Sequence, residues 1–218
     1  METVHRQIKR EEFDYQTVLD VLRGYARPRD KISDLLRKGV IVRVKKGLYV
    51  FGDDYRDRPF SRELLANLVF GPSYLSLDWA LQYYGLIPEK VEAMTSVTTG
   101  RSRRFQTPVG LFVYRQIPVE AFRVGMNRIE TGPEMAFLMA TAEKALSDKV
   151  REDRGIGLTT VSEMKAYLQD SLRVDIPALA KLNPIRIRLF ADRYRSRKIY
   201  LLASVIRNIR GNGGQAHE

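Results

Sequence analysis

The sequence predicts an α+β protein: an N-terminal winged helix-turn-helix, then a mixed α/β domain that ends in helices. Three observations lead there. Residues 28–51 (PRDKISDLLRKGVIVRVKKGLYVF) combine a short helix pattern, a glycine stop and a basic two-strand hairpin. Downstream, strand-like and helix-like stretches mix without a regular βαβ rhythm. The 218 residues, 44% of them apolar, are enough to bury one large core or two small ones.

From the N-terminus, Val4 and Ile8 stand four apart in the polar segment 2–12 and predict a first amphipathic helix. Asp14 is placed to cap a second, with Val18, Val21, Leu22 and Tyr25 on one face. In the third, Ile32, Leu35 and Leu36 recur at i, i+3, i+4, Pro28 suits the first turn and Gly39 lies just past the last. Residues 40–44 and 48–51 are β-branched and aromatic runs, joined by Lys45-Lys46-Gly47 as a tight cationic hairpin tip. Helix, turn, helix and basic hairpin is the order of a winged helix-turn-helix, whose second helix enters the major groove while the wing touches backbone. The turn-rich segment 52–59 marks the domain boundary, giving residues 1–55 as the DNA-binding unit, 56–210 as an α+β effector unit, and 211–218 as a tail expected to be disordered.

In the second unit, Leu64, Leu65, Leu68 and Val69 give a helical stripe, and Ser76 is placed to cap a helix that buries Leu77, Ala80, Leu81 and Tyr84 before Gly85 stops it. Residues 95–99, 111–117 and 135–140 read as strands, the first two separated by an arginine-rich turn carrying Arg101, Arg103 and Arg104. A helix follows over 142–150, with Ala145 and Leu146 inward and Lys144 and Asp148 spaced for an i, i+4 pair. Thr160 and Glu163 form a capping box that opens a helix to Asp170. From Asn183 one helix is expected through Arg210, with Leu189, Tyr194, Leu201, Leu202, Val205 and Ile209 apolar.

The formal charge of +11 is unevenly placed. Residues 1–50 hold 12 Lys/Arg against 7 Asp/Glu, residues 51–180 hold 16 against 17, and residues 181–218 hold 9 against 2. A near-neutral middle between two basic ends fits a polyanion partner. Arg27, Arg29, Ser33, Arg37, Lys38, Arg43, Lys45 and Lys46 are the candidate contacts to double-stranded DNA, the wing lysines to phosphate. Arg101, Arg103 and Arg104, with Arg186, Arg188, Arg193, Arg195, Arg197 and Lys198, form a possible second basic surface for nucleic acid or protein. The face of the third helix opposite Ile32, Leu35 and Leu36 also carries Asp30 and Asp34, which weakens its reading as a groove helix; Asp30 can instead favour the helix N-terminus, Asp34 can pair with Lys38 at i, i+4, and either can accept from a cytosine amino group.

Enzyme readings find little support. His5 and His217 lie near opposite ends without ligand spacing, and no phosphate-binding loop or dinucleotide fingerprint is present. A magnesium nuclease built on Pro133-Glu134 and Glu163-Met164-Lys165 is the distant alternative, with Glu163 better explained as a cap. No catalytic residue, metal or cofactor is expected. The absence of cysteine excludes disulfides and thiolate metal sites, and no apolar run reaches a membrane span, so a cytoplasmic location is expected.

Several stretches resemble the AbiEi family of antitoxins. They are Tyr74-Leu75-Ser76-Leu77 through Tyr84-Gly85-Leu86-Ile87-Pro88, the strand 95–99 with its arginines, the strand 110–114, and Ala142-Glu143-Lys144-Ala145-Leu146-Ser147-Asp148. Arg37-Lys38-Gly39-Val40 to Gly47-Leu48-Tyr49-Val50 looks like that family's winged-helix domain, and the resemblance spans residues 14–150. It implies a bacterial repressor that binds inverted repeats in its own promoter and counteracts a nucleotidyltransferase-like toxin without a stable complex, a type IV system. A stand-alone winged-helix regulator or nucleic-acid adaptor is the close alternative.

Overall fold

The computed structural model describes residues 7–132, 135–153 and 157–213, with residues 212 and 213 described by their backbone alone. Among them lie ten helices and two sheets in a mixed α+β arrangement. The chain opens with β1 (Glu12–Asp14), α1 (Tyr15–Val21), α2 (Pro28–Arg37), β2 (Ile41–Lys45) and β3 (Leu48–Phe51). The three strands form an antiparallel sheet in the order β1-β3-β2. Val18, Leu22, Ile32, Leu35, Val40, Ile41, Tyr49 and Phe51 make a small core between this sheet and the helices. Of the helix expected over residues 2–12, Gln7 is helical, residues 8–10 are irregular and Glu12 begins a strand, while residues 1–6 lie outside the described ones. Ile8 is buried as expected, but as a loop residue, while Val4 lies outside the described residues. Tyr25 lies beyond the end of α1 and is exposed.

After α3 (Arg62–Val69) and β4 (Ser73–Leu75) come α4 (Leu77–Tyr83), β5 (Met94–Thr98), β6 (Arg103–Thr107), β7 (Gly110–Gln116), α5 (Val119–Phe122), β8 (Met126–Gly132) and β9 (Met135–Ala140). These strands form a mixed sheet in the order β6-β7-β5-β4-β9-β8, parallel at β7/β5 and β4/β9. Every residue of β5 is buried, so both faces of the sheet are covered there. On one side the Tyr114 hydroxyl donates to Ala66 O of α3 at 2.6 Å; Thr95 faces α4, donating to Ser76 O at 2.7 Å.

The C-terminal helices are α6 (Ala142–Glu152), α7 (Val161–Ala166) continuing into a π-helical turn (Tyr167–Ser171), α8 (Ile176–Lys181), α9 (Pro184–Tyr194) and α10 (Arg197–Gly213). The single helix expected from Asn183 to Arg210 is broken, because Arg195 adopts the left-handed conformation (φ 50°, ψ 48°) and turns the chain. On α9 the buried row is Ile187, Phe190, Ala191 and Tyr194, and Leu189 is exposed. Residues 211–213, the start of the tail expected to be disordered, are helical as the end of α10, and residues 214–218 lie outside the described ones.

A buried ion pair ties these parts together. Lys144 and Asp148, one turn apart on α6, have fully buried side chains and are joined by an ammonium–carboxylate hydrogen bond. The Tyr194 hydroxyl of α9 donates to Asp148 Oδ1 at 2.6 Å and accepts from Lys144 Nζ at 3.1 Å. Ser76 Oγ, ahead of α4, donates to Asp148 Oδ2 at 2.7 Å. Ser76 was the expected cap of α4, yet its side chain makes no capping bond; Thr95 Oγ1 takes that place from across the sheet, accepting from Trp79 N at 3.0 Å. Gly125 packs so closely here that a Cβ would sit 2.6 Å from the Phe190 ring and 2.9 Å from Lys144 Cβ. Burial pulls the Lys144 ammonium below its ordinary 10.5, and the Asp148 charge opposes that shift.

The segment 52–59 is not a free linker. Asp57 N donates to Glu11 Oε1 at 3.3 Å, Ser61 N donates to Glu12, and both glutamates are buried. Gly52 N donates to Val40 O at 3.0 Å, and a Cβ on Gly52 would meet Gly39 O at 2.0 Å, so only glycine fits this approach. Val44, Leu48 and Val50 leave the small core and pack with Leu65, Ala66 and Val69 in the large one.

Two stability measurements follow. Lys144→Ala strands a buried carboxylate and is expected to cost about 3–5 kcal/mol in urea unfolding, whereas Lys144→Met with Asp148→Leu, Tyr194→Phe and Ser76→Ala removes both charges together with the hydroxyls that depend on them and is expected to cost less. Glu12, raised above its ordinary 4.5 by burial, binds its proton more tightly folded than unfolded. That contribution is complete below 4.5 and lost as pH rises through the raised value, so Glu12→Gln should hold its urea midpoint better than the wild type between pH 4.5 and neutrality.

Candidate nucleic-acid interface

The basic surface of the N-terminal unit is built on α2 and the β2–β3 hairpin. Asp14 accepts from Thr17 N at 2.8 Å and Thr17 Oγ1 at 2.7 Å, which caps α1 and holds the Asp14 carboxyl below its usual range. Tyr15 N donates to Gly47 O at 3.0 Å, so the hairpin tip is pinned to the start of α1. The tip is thereby a fixed feature of the surface.

On α2, Arg29, Ser33 and Arg37 stand at i, i+4, i+8 and form one exposed row. Ser33 Oγ donates to Arg29 O at 3.2 Å. The two carboxylates that weakened the groove reading are both paired. Asp34 meets Arg37 at 2.6 Å, Lys38 at 3.0 Å and Lys31 at 3.9 Å, and the hydrogen bonds from Lys38 and Arg37 hold its carboxyl below the usual range. Asp30 lies 4.0 Å from Arg27. Lys31, not singled out in the sequence, also sits 5.6 Å over the Tyr25 ring; its i, i+3 spacing to Asp34 was the available signal.

The hairpin cations separate into two groups. Arg43 is exposed, with its guanidinium 6.0 Å from the centre of the Tyr49 ring across the strand pair, and Lys46 is exposed at the tip. Lys45 is turned the other way: its Nζ donates to Val69 O at 2.6 Å, and partial burial lowers its pKa. The cause is a register shift. Arg43 pairs with Tyr49 but Lys45 with Leu48, which leaves Val44 as a bulged residue in the large core and aims Lys45 at α3. Lys45 is therefore the one candidate contact that the geometry removes from the basic surface.

The chain matches no family model and no curated protein.

The second basic group does not form one track. Arg103 and Arg104 belong to the edge strand β6, not to a turn, and with Arg101 are exposed. Charged residues on an edge strand discourage pairing with another sheet, which accounts for a polar stretch that reads as a turn. Arg186, Arg188 and Arg193 are exposed on α9, where Arg193 lies 3.9 Å from Glu120. Arg195, Arg197 and Lys198 fall beyond the break, at the α9–α10 junction. Glu163, half of the nuclease alternative, closes its capping box with Thr160 and accepts from Thr159 N at 2.7 Å; Pro133 and Glu134 lie outside the described residues, as do His5 and His217. Among the described residues no helix is long and apolar enough to cross a membrane.

The two lysines should separate cleanly in DNA titrations. Lys46→Ala is expected to flatten the slope of log K against log[salt] by about 0.9, the value for one phosphate contact. Lys45→Ala should leave that slope unchanged and lower unfolding stability by about 1 kcal/mol, the worth of one partly exposed hydrogen bond.

Proposed function

We propose that the chain is a sequence-reading repressor that binds double-stranded DNA through a winged helix-turn-helix in residues 12–51. The observation that carries this reading is the strand order β1-β3-β2 with α1 and α2 inserted between the first two strands. In that order α2 takes the place of the groove helix and the β2–β3 turn that of the wing. The exposed row Arg29, Ser33 and Arg37 would face base edges, and Lys46 and Arg43 the backbone. Asp34 serves this reading: by holding Arg37 at 2.6 Å it limits the rotamers of a guanidinium that would otherwise have to be ordered on binding. The AbiEi resemblance supports the fuller proposal of an antitoxin that represses its own operon at inverted repeats and counteracts a nucleotidyltransferase-like toxin encoded beside it.

The test is a mobility-shift titration of the full chain on its own upstream region and on a scrambled duplex. Arg37→Ala should weaken the upstream duplex by about 1–3 kcal/mol and the scrambled one much less, so that their ratio falls. Equal affinity of the wild type for both duplexes would refute sequence reading. For the antitoxin reading, growth rescue in cells that co-express the neighbouring toxin is expected; a repressor that rescues nothing is a stand-alone regulator.

A further inference from the structure

We propose that the junction of α9 and α10 binds a phosphate group, in a cationic cavity of about 270 Å³ lined by Arg151, Arg195, Ser196, Arg197 and Lys198. Arg195 sits in the left-handed conformation at the end of α9, where glycine is free of strain and a side chain is not. Its side chain is exposed and adds nothing to the core, so the strain is not offset by packing.

The charges around the cavity are uncompensated. Among the described residues, Arg151, Arg195 and Arg197 have no carboxylate at ion-pair distance, although three acids are their near neighbours in sequence. Those acids are engaged elsewhere: Glu152 with Arg115 at 3.3 Å, Asp153 with Lys149 at 3.3 Å and with the Tyr167 hydroxyl, Asp192 with the Tyr200 hydroxyl. Lys198 is held in place, its Nζ donating to Asp153 O at 3.0 Å. Four cations thus line one concavity, with no carboxylate at ion-pair distance from any of them among the described residues. An oxyanion with several acceptor atoms is the complement, because planar guanidinium forks bond pairs of phosphate oxygens.

The cavity's size narrows the ligand. The concavity of about 270 Å³ has room for a phosphate group, and the rest of a larger ligand would extend beyond it. That phosphate comes either from a terminal monoester or from a diester in a single strand. No residue is shared with the surface proposed to read duplex DNA, so either proposal stands without the other.

The test uses the full chain and three probes in calorimetric titration: inorganic pyrophosphate, a short single-stranded oligonucleotide with a 5′-phosphate, and the same strand without it. Arg195→Gly removes the cation and relieves the backbone. It should weaken saturable binding about tenfold or more while its Tm stays level or rises, and Lys46→Ala should leave binding unchanged. Binding of only pyrophosphate and the phosphorylated strand assigns the terminal group; equal binding of both strands assigns the diester. No saturable binding of any probe, equal affinity in the wild type and Arg195→Gly, or a lowered Tm in Arg195→Gly overturns the proposal.

Discussion

The Lys144–Asp148 pair is the constraint on which the second unit depends. A charge taken from water is tolerated only when its partner and its remaining hydrogen bonds are supplied in full, and here they come from three separate elements. Asp148 receives Lys144 from its own helix, Tyr194 from α9 and Ser76 from the strand end before α4. Loss of any one leaves a buried polar atom unpaired, so the pair fixes the relative placement of α4, α6 and α9 more sharply than apolar packing alone. The consequence reaches the sheet. Because Ser76 is committed to Asp148, the start of α4 takes its cap from Thr95, and β5 is thereby locked beneath that helix.

How far this was legible depends on sequence separation. The i, i+4 spacing put Lys144 and Asp148 together correctly, as the Thr160–Glu163 capping box placed the start of α7 and Gly39 and Gly85 the ends of α2 and α4. Ser76 looked like a cap because a serine before an apolar helical run usually is one; its partner lies 72 residues away, and nothing local announces it. The bulge at Val44 was equally hidden: simple alternation along Val42, Arg43, Val44 and Lys45 gives no sign that one residue is extra, yet that residue decides where Lys45 points. The break at Arg195 was missed for the opposite reason, since arginine is a good helix former and only tertiary placement puts it in a left-handed turn. Edge strand β6 escaped notice because its charges serve against pairing and mask the strand pattern.

The N-terminal unit and the second unit are mechanically continuous. Leu48 and Val50 of β3 and Val44 of β2 are core residues of the second unit, and buried Glu11 and Glu12 hold the connecting segment by its backbone N–H groups. Turn-rich composition in residues 52–59 therefore marks a change of sheet and not a hinge. A force applied to the hairpin by a bound duplex would be felt at Val69, where Lys45 ends α3, and α3 lies against β4 and β9. Any coupling between DNA occupancy and the second unit has this route open to it.

The cations of the chain divide according to what already neutralises them. In the N-terminal unit, Arg37, Lys38 and Lys31 share Asp34, and Arg27 has Asp30, while Arg29 and Lys46 have no carboxylate among the described residues. A cation that must leave a carboxylate to reach phosphate gains less than its formal charge suggests, whereas an unpaired one gives up only water and counterions. On the proposed DNA-reading surface, affinity would therefore fall chiefly to Arg29, Arg43 and Lys46, and the paired Arg37 would be the better positioned to discriminate, because its geometry is set before a partner arrives. The same distinction separates the arginines at the C-terminal end: Arg193 lies 3.9 Å from Glu120, and Arg151, Arg195 and Arg197 line one cavity without a carboxylate at ion-pair distance among the described residues. Net charge locates a polyanion surface only in outline; which charges act there is set by the carboxylates beside them.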